Sequence, residues 1–100
     1  MKTKVIFRKF KNGDIIALFP EEVGVLHSYC CTCYEHVGQH GSADYTHIVH
    51  MTKLAVPEEY ANLKNELEST PYFYDLDVKH KCTSAMWDTF LANRHSYLIA

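Results

Sequence analysis

An Asn-Gly dipeptide at positions 12 and 13, set between two apolar stretches, is the feature that most constrains the fold of this 100-residue chain. Both residue types tolerate positive φ, and in this setting the pair is the strongest short-range signal for a β-hairpin. A two-residue turn predicts that Phe7 lies opposite Leu18. Both faces of the hairpin carry apolar side chains, so we expect more than one element to cover it.

Three further stretches have the pattern of strands. Residues 26–35 and 45–52 alternate as a third and a fourth strand would. Gly38 and Gly41 break the pattern between them, so residues 38–44 are predicted to form a loop. Residues 72–81 place tyrosine, leucine and valine on one side and charged residues on the other, which predicts a half-exposed strand.

Two stretches are predicted to be helical. Pro57–Glu68 begins with a proline, which suits the first helical position, and with two glutamates that favour the positive end of the helix dipole. Apolar residues at positions 60, 63 and 67 form one narrow stripe, which predicts packing on the sheet. Either Thr83 or Ser84 can cap a second helix, whose apolar face would include Trp87 and Phe90.

Together these elements predict an α+β fold, with a four- to five-stranded, mostly antiparallel sheet, one helix packed on it and a C-terminal helix. The length suits a single domain over residues 1–100, with a sheet-plus-helix core at 4–81 and a C-terminal extension at 82–100. The residues expected in the core are Ile6, Ile16, Leu18, Tyr60, Leu63, Leu67, Leu76 and Val78.

The C-terminal segment carries more apolar surface than one helix stripe needs. Trp87, Phe90 and the apolar residues 97–99 all lie beyond the predicted core. Exposed apolar surface of this kind is typical of subunit contacts. We therefore expect a homodimer or higher oligomer formed through this segment.

Charge and hydropathy exclude two classes of partner. A net charge of −2 offers no basic surface for a nucleic acid polymer. No apolar run approaches the roughly 18 residues that span a bilayer, and the first residues lack the apolar region of a signal peptide. We expect a cytoplasmic protein without membrane contact, in which the four cysteines stay reduced.

Four segments have a distinctive amino-acid sequence. They are Ile-Phe-Arg-Lys-Phe at 6–10, Ile-Ala-Leu-Phe-Pro at 16–20, His-Val-Gly-Gln-His-Gly-Ser-Ala-Asp-Tyr at 36–45, and Pro-Glu-Glu-Tyr-Ala-Asn-Leu-Lys-Asn-Glu-Leu-Glu at 57–68. In these segments the chain resembles a group of small uncharacterised proteins encoded by bacteriophages and by mobile elements of gut bacteria. The similarity covers about residues 4–81. It implies an accessory protein in the host bacterial cytosol, a setting in which interference with host defence is common, and it implies no catalytic residue.

Residues 34–45 concentrate the side chains that carry chemistry. The candidate ligand-binding residues are Tyr34, His36, Gln39, His40, Ser42, Asp44 and Tyr45. The glycines at 38 and 41 allow backbone N–H groups to converge on an anion, and the tyrosines can stack on a base. The pattern favours a small anionic ligand such as a nucleotide. The alternative is an ordinary hairpin loop held by its own side chains, with Asp44 accepting backbone N–H bonds.

The spacing Cys30-x2-Cys33-x2-His36-x3-His40 contains four residues of the types that bind zinc. The gap between Cys33 and His36 is shorter than in zinc fingers, and an extended strand would point Cys30 and Cys33 to opposite faces. We therefore expect reduced thiols and no bound metal, with a zinc-binding module as an alternative.

A small histidine-dependent hydrolase is a further alternative. His36, His40 and Asp44 are acid–base residue types, and Cys33 or Ser42 is a candidate nucleophile. No Gly-x-Ser-x-Gly or phosphate-loop pattern accompanies them.

From these residues and the resemblance we expect a non-enzymatic accessory protein without a cofactor. It would bind and sequester a host factor or a small signalling molecule such as a nucleotide. A protein–protein inhibitor that uses the tyrosine-rich strand faces is the remaining alternative.

Overall fold

A computed structural model describes residues 2–35 and 39–100, and within them the chain forms six strands and three helices. In chain order these are β1 (Thr3–Phe10), β2 (Ile15–Val23), β3 (Cys31–Glu35), β4 (Gln39–Ala43), α1 (Tyr45–Met51), β5 (Thr52–Leu54), α2 (Pro57–Glu68), β6 (Leu76–Lys79) and α3 (Ser84–Ile99). Among the helices in this part of the chain, none is long and apolar enough to cross a membrane.

The strands form one sheet in the order β4-β3-β2-β1-β5. The sixth strand, β6, shares the outer side of β1 with β5, because β6 pairs with the first half of β1 and β5 with its second half. Every pairing is antiparallel except that of β6 with β1, which is parallel. The predicted α+β class with a mostly antiparallel sheet and a C-terminal helix is confirmed.

The predicted hairpin is present, but its register differs by one residue from the prediction. Phe7 lies opposite Ala17 and not Leu18. The Gly13 N–H donates to the Phe10 carbonyl at 2.9 Å, and Gly13 has a φ of +95°. A three-residue loop that ends in a left-handed glycine is the next most common hairpin connection after the two-residue turn. The extra loop residue shifts the pairing by one position.

Helices cover both faces of the central hairpin. On one face, Phe7 and Phe19 pack with Leu63 and Leu67 of α2. On the other face, Ile6, Ile16 and Leu18 pack with Phe90 of α3, and Tyr45 and Ile48 of α1 contact the same cluster. The expected coverage on more than one side is confirmed, and the sheet lies between two helical layers.

The predicted core is largely the observed core. Six of the eight predicted residues are buried and two are half-buried. The buried ones are Ile6, Ile16, Leu18, Leu63, Leu67 and Leu76, and the half-buried ones are Tyr60 and Val78.

The predicted fourth strand, residues 45–52, was wrong, because most of this stretch forms helix α1. Asp44 is its N-cap, and the Asp44 side chain accepts a hydrogen bond from the His47 N–H at 3.2 Å. Tyr45 and Ile48, three residues apart, then reach the same cluster on the sheet. A cap and a three-residue apolar spacing outweigh the alternating pattern that predicted a strand.

Three other boundaries also differ from the prediction. The third strand begins at Cys31, because residues 25–28 form a turn in which the Ser28 N–H donates to the Val25 carbonyl at 3.3 Å. Residues 39–43, predicted to lie in a loop, form strand β4. The strand predicted over residues 72–81 is shorter in the structure, where β6 spans only Leu76–Lys79.

Both predicted helices are confirmed together with their starts. Pro57 is the first residue of α2, and the Glu59 side chain accepts from the Val56 N–H at 3.0 Å. The Thr83 hydroxyl caps α3 by accepting from the Met86 N–H at 3.2 Å. Each cap satisfies a backbone donor that the first helical turn would otherwise leave unpaired.

Candidate functional site

The pairing of β3 with β4 distributes the predicted site residues over two faces of the sheet. Tyr34 lies opposite His40, and Cys33 lies opposite Gly41. Because side chains alternate along a strand, Tyr34 and His40 share the face covered by α2, whereas Cys33 belongs to the face covered by α3. By the same alternation, Ser42 is on the His40 face and Gln39 is on the opposite face. His36 lies outside the described residues.

His40 is surrounded by four aromatic rings, and we call this group the His40 cluster. It consists of Phe19, Tyr34, His40, Tyr72 and Tyr74. The ring centroid of His40 lies 4.9 Å from that of Tyr34, and the His40 Nε2 is 2.9 Å from the Tyr74 hydroxyl. Two of the predicted residues, Tyr34 and His40, therefore meet, and the partners from residues 72–74 were not predicted.

Burial keeps the His40 cluster uncharged. Partial burial lowers the pKa of His40, so its imidazole is neutral at pH 7. Burial raises the pKa of Tyr34, and its hydrogen bond to the Glu66 carboxylate raises that pKa further. Burial also raises the pKa of Tyr74, so the hydrogen-bond partner of His40 is a neutral phenol. The aromatic rings of the cluster therefore offer packing and polar groups without a charge of their own.

Asp44 and Tyr45 have local structural roles. The Asp44 carboxylate caps α1, which is the backbone role that the structural alternative assigned to it. The Tyr45 hydroxyl accepts from the Cys82 N–H at 2.9 Å, which ties α1 to the start of α3. Both residues also line a cleft on the α3 side of the sheet.

This cleft has a volume of about 380 Å³, and we call it the aromatic cleft. It lies between the start of α1, residues 28–31 and the first turns of α3. Four aromatic side chains, three cysteines and one carboxylate account for most of its lining. They are Tyr29, Tyr45, Trp87 and Phe90, then Cys30, Cys31 and Cys82, and Asp44.

The rings in the aromatic cleft contact one another. Trp87 stacks on Phe90 with centroids 5.1 Å apart, and Tyr29 lies 6.0 Å from Trp87. The Arg94 guanidinium is 4.4 Å from the centre of the Tyr29 ring, and its Nε donates to the Ser28 carbonyl at 3.2 Å. The cation–π contact and the hydrogen bond together fix residues 28–29 against α3. Trp87 and Tyr29 nevertheless remain 41% and 58% exposed, so part of each ring is accessible to a ligand even though Phe90 stacks on Trp87 and Arg94 lies over Tyr29.

Three of the thiols in and around the cleft are held in the protonated form. Burial raises the pKa of Cys31 to about 12 and raises the pKa values of Cys33 and Cys82. A thiol in this state is a weak nucleophile and a poor metal ligand. Within residues 2–35 and 39–100, no three histidine, cysteine, aspartate or glutamate side chains are placed to hold a metal ion.

Sequence reasoning missed the aromatic cleft because its lining comes from four separate segments. One signal was available in α3, where Met86 and Phe90 are one turn apart and both buried. Trp87 lies beside that buried stripe, so its ring is placed at the border of the helix contact. A large aromatic residue next to a narrow apolar stripe indicates a surface that is only partly covered.

A second cleft of about 440 Å³ lies at the other end of α1, and we call it the lysine cleft. It is lined by Lys9, Phe10, Lys11, His50, Met51, Thr52 and Lys53. Lys9 and Lys53 face each other across β1 and β5, and Lys9 pairs with the Glu59 carboxylate. Like charges directly opposite are destabilising, and the Glu59 carboxylate offsets part of this repulsion at Lys9.

The fold and the clefts define a small α+β protein with an antiparallel sheet between helices and two open surface clefts. No protein-family model matches this chain, and no curated protein and no solved structure matches it.

Proposed function

We propose that this protein is a non-enzymatic small-molecule binding protein whose ligand site is the aromatic cleft. The observation that carries the proposal is the cleft itself, which at about 380 Å³ falls within the range of small-molecule sites. Aromatic rings dominate its lining, and a few polar groups stand among them. That combination provides affinity through ring contact and orientation through hydrogen bonds.

The lining favours a planar aromatic ligand. Tyr29 and Trp87 offer partly exposed ring faces, on which a planar group can stack. Base–aromatic stacking contributes about 1–3 kcal/mol per base. The Asp44 carboxylate borders the cleft and disfavours a negative charge close to it. A nucleobase fits this lining better than a phosphate does.

The state of the thiols supports binding over turnover. Burial raises the pKa values of the Cys31 and Cys82 thiols at the cleft, so neither is activated as a thiolate at neutral pH. Nucleophilic catalysis requires an activated thiolate. The proposed role is therefore to retain a ligand unchanged.

The resemblance to phage and mobile-element proteins supports a sequestering role in the bacterial cytosol. In that role, a base-bearing signalling molecule would be removed from a host defence pathway by stoichiometric binding. Tight binding is sufficient for this effect.

Trp87 is the only tryptophan of the chain, so its fluorescence reports directly on the aromatic cleft. We expect titration with a panel of nucleosides and cyclic nucleotides to quench this fluorescence at one ligand per chain. Replacing Tyr29 by alanine removes one stacking ring and should weaken binding roughly 5- to 150-fold. The matched control is Tyr97→Ala, which removes an exposed tyrosine outside the cleft. Equal affinities of the two variants would contradict the assignment.

The lysine cleft favours a second candidate function, which is binding of a small anion. Its lysines and His50 surround an open concavity, and Lys53 lies opposite Lys9. We expect tripolyphosphate to bind there and Lys53→Gln to weaken binding several-fold, with a loss of affinity at higher ionic strength. Isothermal titration calorimetry measures the effect, with Lys81→Gln, at an exposed site away from the cleft, as control. Binding that both variants reduce equally would indicate nonspecific charge attraction.

A further inference from the structure

The two edges of the sheet are built differently. At one edge, β5 and β6 are three and four residues long and carry Lys53, Asp77 and Lys79. Short strands and charged side chains are the features by which proteins keep sheet edges from pairing with other chains. At the other edge, β4 is five residues long and consists of Gln39, His40, Gly41, Ser42 and Ala43. This edge has no acidic residue, lysine, arginine or proline.

The outer side of β4 is open within the described part of the chain. β4 pairs with β3 on one side, and no other described strand pairs with it. Residues 39–42 are all exposed. In an antiparallel pair, alternate residues direct their N–H and C=O groups away from the partner strand. The outer side of β4 therefore presents backbone groups that another strand can pair with.

We propose that β4 pairs antiparallel with β4 of a second copy of this chain, around a two-fold axis at Gly41, and so joins the two sheets. This inference is independent of the proposed ligand site. The axis places Gly41 opposite its own equivalent, His40 opposite Ser42 of the second copy, and Gln39 opposite Ala43.

Charge favours a second copy as the occupant of this edge. Around a two-fold axis each residue meets itself or its symmetry mate, so any charge on the strand would lie near an identical charge. Residues 39–43 bring no such repulsion, because burial lowers the pKa of His40 and keeps it neutral at pH 7. Gly41 carries no side chain at the axis, so no side chain meets its own copy there. His40 and Ser42 are polar partners for a cross-strand hydrogen bond.

The test is the mass of the full chain by light scattering at concentrations from about 1 to about 100 µM. We expect the mass to rise twofold with concentration. Gly41→Lys places two lysines against each other at the axis and should weaken dimerisation at least roughly tenfold, because like charges directly opposite repel. Asn62→Lys adds the same charge on the exposed side of α2 and should leave the dimer intact.

Hydrogen exchange of the β4 amides provides a readout that does not depend on the folding of a variant. In the wild-type protein these amides should become more protected as concentration rises, while the amides of β5 stay unchanged. A monomer at all concentrations, or a dimer without added protection in β4, overturns the proposal. A dimer that Gly41→Lys leaves intact and Ile99→Asp abolishes would assign the interface to the exposed end of α3.

Discussion

Single side chains in this protein take their chemical state from the face of the sheet on which they lie. Cys31, on the α3 face, is 2% exposed, and its burial raises the pKa of the thiol to about 12. His40, on the α2 face, is partly exposed, and desolvation lowers the pKa of its imidazole. In both cases burial favours the neutral form. Residue type alone made His40 a candidate acid–base residue, whereas its position in the fold favours the neutral imidazole at pH 7.

The Cys31 thiol gives a prediction for stability at alkaline pH. In the unfolded chain this thiol ionises near its ordinary pKa of 9, whereas the folded protein keeps it protonated up to about 12. Between these values the unfolded state holds fewer protons, so stability falls by up to about 1.4 kcal/mol per pH unit from this group. Its full contribution is present below pH 9 and is lost as the pH rises above that value.

Urea unfolding from about pH 8 to about pH 10 measures this slope. We expect Cys31→Val to lose stability less steeply than the wild-type protein over that range. Cys30→Ser, which changes a half-buried thiol next to it, is the control and should keep the wild-type slope. Identical slopes for Cys31→Val and the wild-type protein would show that Cys31 ionises freely in the folded state.

At the scale of elements, sequence patterns predicted those helices and turns that are stabilised by interactions between residues close in the chain. The hairpin, α2 and α3 follow from a turn dipeptide, a proline start and a threonine cap, each of which acts within a few residues. The register of the hairpin could not be predicted from the turn dipeptide, because two-residue and three-residue loops both suit Asn-Gly. The structure has the longer loop, in which Gly13 adopts a left-handed φ. Helix α1 did not follow either, because Asp44 was weighed as a ligand or loop residue and not as a helix cap.

Helix α3 contributes to the core, although sequence reasoning separated residues 82–100 as an extension. Phe90 is 1% exposed and packs on Ile6, Ile16 and Leu18. The Asn93 side chain also donates to the Glu21 carbonyl at 2.8 Å, which fixes α3 against β2. Removal of this helix would expose the part of this face that α1 does not cover.

We therefore expect Phe90→Ala to lower the free energy of unfolding by about 3–5 kcal/mol, as is typical of buried phenylalanine. Leu98→Ala, at a half-exposed position of the same helix, should change it by no more than about 0.5 kcal/mol. Urea denaturation followed by circular dichroism measures both. A Phe90→Ala variant as stable as Leu98→Ala would mean that α3 is not docked on the sheet.

At the scale of the whole molecule, residues that are close in sequence lie on different faces of the sheet. The polar cluster at residues 34–45 is divided by strand alternation, so that Tyr34 and His40 meet on one face while Asp44 and Tyr45 border the cleft on the other. Sequence reasoning identified individual residues of both the His40 cluster and the aromatic cleft. It could not find Tyr29, Cys82 and Trp87 as their neighbours, because only the tertiary fold brings residues 28–31, 44–46 and 82–90 together.

The most direct test of the binding function is to ask what the protein carries when it is purified from bacterial cytosol. The purified protein is denatured by heat, and the supernatant is analysed by chromatography and mass spectrometry. Our account predicts one intact, base-bearing molecule per chain from the wild-type protein, much less from Tyr29→Ala, and the wild-type amount from Tyr97→Ala. A chemically altered ligand would indicate an enzyme, and equal recovery from the two variants, or no ligand even after incubation with the nucleotide panel, would contradict the aromatic cleft as the binding site.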